Sequence, residues 1–162
     1  MIAIGIDPGK GGFVAILDGN IIETHPCPTV SIGTKQDYDG QAMRRILSDY
    51  SLNSFNVHVF IEKQQSFPKQ GVVSTFSTGE GFGLWKGICI GLDLPFTVVR
   101  SQEWRKETLK GVQGTDNKGR SIIAAGRLFP GVDLRRSDKC KKPCHDKAEA
   151  LLIAEYGRRL LK

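Results

Sequence analysis

"IAIGIDPGKGGFVAILDGNIIETHP", residues 2–26, carries three short apolar runs at 2–6, 12–18 and 20–26, parted by "DPGKG" and "DGN". Runs of this length, bounded by Gly, Pro, Asp and Asn, read as strands, and "DGN" is a tight hairpin signal. The chain therefore opens as an antiparallel meander. Working outward, Ala42, Met43, Ile46, Leu47 and Tyr50 share one face of a helix over 39–50, which Asp37 or Asp39 can start. "VHVFIE", 57–62, is a buried strand ending in an acid, and a long helix over 71–92 leads to a fifth strand, "PFTVV", at 95–99. Helices follow near 101–109 and 118–129, and "HDKAEALLIAEYGRRLL" closes the chain as a helix over 145–161. Strands that return through helical crossovers must lie parallel. The expected fold class is α/β: a mixed five-stranded sheet, three antiparallel strands then two parallel, flanked by helices.

At 162 residues with 40% hydrophobic content, the chain is the size of one domain with a real core, and we expect a single domain over 1–162. It carries 23 Lys and Arg against 17 Asp and Glu. The surplus is local: residues 100–142 hold 12 basic and 5 acidic residues, leaving 11 against 12 elsewhere. A basic segment of this kind is either a solvated face or a contact for a polyanion. The chain starts on a strand with no basic leader, and its apolar runs are far shorter than the roughly 20 residues that span a bilayer. The expectation is a cytoplasmic protein, in a bacterial or phage-infected cell, with no membrane partner. Four cysteines are too few and too irregular for a disulfide scaffold. "CKKPCH" brings Cys140, Cys144 and His145 together, but one close cysteine pair without a second spaced pair is a poor zinc site.

Asp146 and Glu149 fall roughly 60° apart on the last helix, close to the direction of Ile153 on its apolar side. Either Asp146 caps the helix and both acids favour its positive end, or they meet other acids around a metal. Asp7 follows the first strand and Glu62 ends the fourth, so both emerge at neighbouring carboxyl ends, where such sheets place sites. Four carboxylates so close need cations between them, and hard oxygen donors suit Mg²⁺, with Mn²⁺ as substitute. Two such ions can activate water and stabilise the leaving oxygen of a phosphodiester.

With Asp7 in "IGIDPG", Glu62 ending "VFIE", and the "HDKAEALLIAEY" helix, the chain resembles the RuvC-type Holliday junction resolvases of the RNase H-like superfamily. "SFPKQGVVSTFSTGEGFGLWKGI" is similar to the plant chloroplast branch and its bacterial and phage relatives. The resemblance implies an RNase H-like fold and a homodimer that nicks opposing strands of a four-way DNA junction symmetrically, with two Mg²⁺ ions per site. It implies that Asp7, Glu62, Asp146 and Glu149 are the four acids, Glu149 standing where the common bacterial pattern has Asp. Lys118 looks like the family's basic residue near the scissile phosphate, or is simply exposed. His145 is a helix-start residue or acts near the leaving group. Phe67, with Lys69 beside it, either anchors its loop or stacks on junction bases.

Arg100, Arg105, Lys106, Arg120, Arg135, Arg136, Lys139, Lys141 and Lys142 are then candidates for holding the phosphates of the junction arms. Gly79, Gly83, Gly87 and Gly91 recur every fourth residue of the long helix, each costing roughly 1 kcal/mol relative to Ala. That row makes a groove for either the protein's own sheet or a second copy of the helix. Two other readings stay open: an RNase H-like nuclease acting on RNA, hybrid or general branched DNA, and a module that binds branched nucleic acid without cutting. A two-lobed sugar-kinase or actin-like ATPase needs about twice this length.

Overall fold

The computed structural model describes residues 1–51, 56–66 and 71–162. Strands β1 (Ile2–Ile6), β2 (Phe13–Asp18) and β3 (Ile21–Pro26) form the meander, and β4 (Thr29–Ile32) and β5 (Lys35–Tyr38) form a separate hairpin. Helix α1 (Gly40–Ser51), strand β6 (Val57–Glu62), helix α2 (Val72–Gly91) and strand β7 (Phe96–Val99) follow. Helices α3 (Ser101–Thr108), α4 (Asn117–Leu128) and α5 (His145–Leu160) complete the described elements. The five-stranded sheet has the order β3-β2-β1-β6-β7, antiparallel through β1 and parallel across β1–β6 and β6–β7. This is the mixed sheet expected from the apolar runs.

The β4–β5 hairpin is the element the sequence pattern missed. Its two-residue loop, Gly33–Thr34, turns with Gly33 at φ 62°, in the left-handed region that glycine adopts without cost. Its strands are mostly exposed, Ile32 to 61%, so no apolar face announces them. Asp39 starts α1 as expected, its carboxylate accepting from the Ala42 N–H at 2.9 Å.

The two faces of the sheet build two cores. Ile2, Ile4, Ile6, Val14, Ile16, Val59 and Ile61 pack on one side with Met43 and Leu47 of α1 and Trp85 and Cys89 of α2. On the other side, Ala3, Phe60 and Val99 meet α3, α4 and α5, while Phe13, Ala15 and Leu17 meet Ala150, Leu151 and Ala154 of α5. Helix α5 lies directly on the central strand. A Cβ at Gly5 would collide with the backbone of Ala150 and Ala154, so only glycine permits this approach. The seat sets the N-terminal end of α5 over the carboxyl ends of β1 and β6.

The glycine row faces away from the sheet: a Cβ at Gly79, Gly83, Gly87 or Gly91 would meet nothing within 4 Å among the described residues. Its intramolecular reading therefore fails, and the close approach on α2 belongs instead to Gly81, against Tyr38 and the Pro8 carbonyl. Among the described residues no helix is long and apolar enough to cross a membrane.

Candidate active site

Asp7 follows β1 directly, and its half-buried side chain stands where Glu62, Asp146 and Glu149 all raise its proton affinity. Burial first, and then those three charges, hold the Asp7 carboxyl well above its ordinary 3.8; the Gly9 N–H is what draws it down. The four acids chosen from sequence thus converge on one place. Two strand ends and one helix supply them. Tyr38 bolts the loop that follows Asp7: its hydroxyl lies 3.4 Å from the Pro8 carbonyl and 3.1 Å from that of Ser77. Lys10 in the same loop donates to the Gln36 carbonyl at 2.8 Å and pairs with Asp37 at 3.5 Å, so the β4–β5 hairpin steadies the site.

Glu62 is 8% exposed and accepts from the indole N–H of fully buried Trp104 at 3.0 Å and from Gln64 at 3.4 Å. Burial still lifts its carboxyl; the Trp104 bond opposes the lift, Glu149 adds to it, and Arg105 opposes it. Glu149 is 7% exposed, and its Oε1 lies 3.2 Å from both the Arg105 guanidinium and the buried Ser121 hydroxyl. Asp146 receives Arg136 at 3.1 Å on Oδ2, while His145 Nε2 lies 2.9 Å from its Oδ1. Arg136 also reaches the Gly11 carbonyl and stands 4.9 Å over the Phe13 ring, clamping the β1–β2 loop to the start of α5. The capping reading of Asp146 does not survive. Cys144 is the N-cap, with no side-chain cap bond, and the Asp146 carboxylate is turned to Arg136 and His145.

Trp104, Ser121 and Tyr38 escaped the sequence reading. Each acts on a residue far away in the chain, and an isolated Trp or Ser on a helical pattern reads as core. Lys118 is exposed in the first turn of α4, three residues before Ser121. Phe67 and Lys69 lie outside the described residues.

The basic candidates divide into two sets. Arg100, Lys106, Lys139, Lys141 and Lys142 are exposed, and Lys63 and Arg100 line a cavity of about 240 Å³ beyond the end of β6. Arg120 is instead bound to the carbonyls of Val112 and Leu109, both at 3.1 Å, and Arg135 forks onto Asp133 at 2.6–3.0 Å. Arg105 and Arg136 face the acids. Cys144 Sγ lies 3.7 Å from Asp146 Oδ2 and Cys140 Sγ lies 3.6 Å from the Ser137 hydroxyl.

A hard divalent cation suits the donor chemistry here: four carboxylates from three elements, with burial and the other three acids raising the proton affinity of Asp7. As they stand, no three His, Cys, Asp or Glu side chains among the described residues are grouped closely enough to hold an ion together. Glu149 and Asp146 are each turned to an arginine instead. The set fits a cation in kind, as hard oxygen donors, and Asp146 and Glu149 would have to turn from their arginines to face one.

The sheet order and the helix seated across it define the RNase H-like α/β class. No family model matches the chain. Among solved structures it is similar to RuvC of Thermus thermophilus, with TM-score 0.58 and 14% identity over 99% of this chain and 96% of that one. A structure of T. thermophilus RuvC in complex with Holliday junction substrate matches with TM-score 0.59 and 13% identity over the same shares. Among curated proteins it is 31% identical, over 100 residues, to the chloroplastic Holliday junction resolvase MOC1 of Chlamydomonas reinhardtii. That match takes in 60% of this chain and spans about a tenth of the length of the relative, 10%. The fold of this chain is the RuvC fold.

Proposed function

We propose that the chain is a metal-dependent endonuclease that resolves four-way DNA junctions by hydrolysing phosphodiesters, residues 1–162 forming one nuclease domain. The observation that carries this reading is the convergence of Asp7, Glu62, Asp146 and Glu149 at the strand ends of a RuvC fold. The likeness to a chloroplastic resolvase and to a RuvC bound to its junction substrate supports the choice of DNA. The four acids are the residues that hold Mg²⁺, or Mn²⁺ in its place, two ions per site. When bound, such ions supply an activated water and charge stabilisation of the leaving oxygen.

The chain's own residues do the rest. Trp104 and Ser121 hold Glu62 and Glu149 in place by hydrogen bonds from buried donors. His145, at the first position of α5 and 2.9 Å from Asp146, gives a proton to the departing oxygen. Lys118 serves the scissile phosphate from α4, and Arg100, Lys106, Lys139, Lys141 and Lys142 hold the junction arms. Phe67, with Lys69 beside it, stacks on unpaired bases at the junction centre.

The active form is a homodimer joined along α2. The open glycine row is continued by exposed apolar side chains on that helix, Val72 at 85%, Phe76 at 73% and Ile90 at 65%. Such a contiguous apolar face on a soluble helix marks an interface.

The test is cleavage in Mg²⁺ of end-labelled four-way junctions with mobile cores, beside fork, flap, duplex and RNA–DNA hybrid, with Asp7→Asn as control. Paired symmetric nicks confined to the four-way junction are expected, absent in the variant. Cutting of hybrid or of all branches alike makes it a general nuclease, and tight binding without cutting makes it a binding module.

A further inference from the structure

Arg105 stands between two different surroundings. On one side its guanidinium donates to Glu149 at 3.2 Å. On the other it lines a cavity of about 370 Å³ together with Gln102, Lys106, Lys110, Asn117 and Arg120. That lining contains cations and amides but no carboxylate. Its Nε is buried and has no hydrogen-bond partner among the described residues, and its charge sits 4.8 Å over the Trp104 ring. A guanidinium with one buried donor unmet is satisfied by an acceptor that takes two donors at once, which a phosphate does and a singly engaged carboxylate does not. Arg120 is fixed to backbone carbonyls and forms a standing wall. Arg105, paired to one carboxylate oxygen, is the guanidinium able to turn.

Any cation bound by Glu149 has a charge of the same sign as Arg105 and competes for the same oxygen. Ser121 would keep Glu149 oriented after the arginine has left. We propose that this cavity seats a backbone phosphate of bound DNA, and that Arg105 exchanges Glu149 for that phosphate, releasing Glu149 to the metal. The inference rests on the nuclease reading above and adds its regulation: DNA completes the metal site. Linkage makes the effect reciprocal, so metal must tighten DNA by the factor by which DNA tightens metal.

The test is Mn²⁺ binding, read from the free-ion EPR signal, to the full chain with and without a short unbranched DNA duplex. It is run on wild type, R105Q, the exposed pair K106Q/K110Q and D7N, each first checked for its fold by circular dichroism. Without DNA, R105Q is expected to bind Mn²⁺ about tenfold tighter than wild type, a coupling of ordinary size. Duplex should tighten Mn²⁺ on wild type by a similar factor, and this gain should be lost in both R105Q and K106Q/K110Q. R105Q binding Mn²⁺ no tighter than wild type overturns the exchange and leaves Arg105 a fixed clamp. A full gain retained by K106Q/K110Q overturns the phosphate seat even if R105Q does not fold. If wild type binds no more Mn²⁺ than D7N, the nuclease reading itself falls and the exchange falls with it.

Discussion

Replacing Asp7 by Asn should make the metal-free protein more stable while abolishing cleavage. Burial raises the proton affinity of Asp7, three carboxylates add to it, and one amide N–H opposes. Asn keeps the volume and the acceptor for the Gly9 N–H but removes the charge. Relief of a half-buried charge without a counter-ion is worth about 1–2 kcal/mol, at the upper end of single stabilising substitutions. For a chain of this size that lifts Tm by about 2–8 °C.

The pH dependence fixes the cause. Because the folded pKa of Asp7 is raised above its ordinary 3.8, the folded state binds more protons, and wild type loses stability as pH climbs from 3.8 through the raised value. The advantage of D7N is therefore expected to be small below pH 3.8, to grow across that interval and to be constant above it. The assay is thermal or urea unfolding in EDTA across pH. Adding Mg²⁺ at about 100 times its Kd should return about 2.7 kcal/mol to wild type and much less to D7N. A D7N protein that is no more stable than wild type at pH 7 in EDTA, or whose advantage is flat with pH, refutes the electrostatic account.

Trp104→Phe removes the donor to Glu62 while keeping an aromatic ring; a hydrogen bond to a charged acceptor is worth about 1.5–3 kcal/mol, so single-turnover cleavage should drop about 10- to 100-fold. Rates equal to wild type in the folded variant would remove the positioning role. A Cβ at Gly83 meets nothing within 4 Å among the described residues, and Gly83→Leu improves helix propensity by about 1 kcal/mol yet fills the outward groove, so sedimentation should give a folded monomer; an unaltered dimer moves the interface off α2. Changing exposed Lys139, Lys141 and Lys142 together to Gln should flatten the log-log salt dependence of junction binding by about 0.9 for each DNA phosphate left without its lysine, and an unchanged slope excludes them as phosphate ligands.

The sheet was legible because period-two apolar runs and "DGN" name strands and a turn directly, and because parallel return through helices leaves few topologies. The four acids were legible because a carboxylate at a strand end or on an apolar helix stripe violates the local pattern. What the sequence hid are partners chosen in three dimensions. Trp104 looks like core and is core, yet its N–H is what orients Glu62, 42 residues earlier. Arg105, Arg120, Arg135 and Arg136 look alike in a basic run, and folding turns all four toward the protein itself, onto carboxylates or carbonyls. The β4–β5 hairpin carries Lys35 and Asp37 where a half-buried strand would carry apolar side chains, so its alternation is faint.

Because Ala150 and Ala154 rest on Gly5 with no side chain between them, α5 has no softer way to part from β1 than to leave it whole. Its central amide protons should then exchange with solvent only when the entire fold opens, among the slowest in the molecule. Asp146 and Glu149 ride on that helix, so the proposed site cannot fray ahead of the core. Heat should extinguish cleavage and near-ultraviolet ellipticity at one temperature, with no folded but inactive species in between.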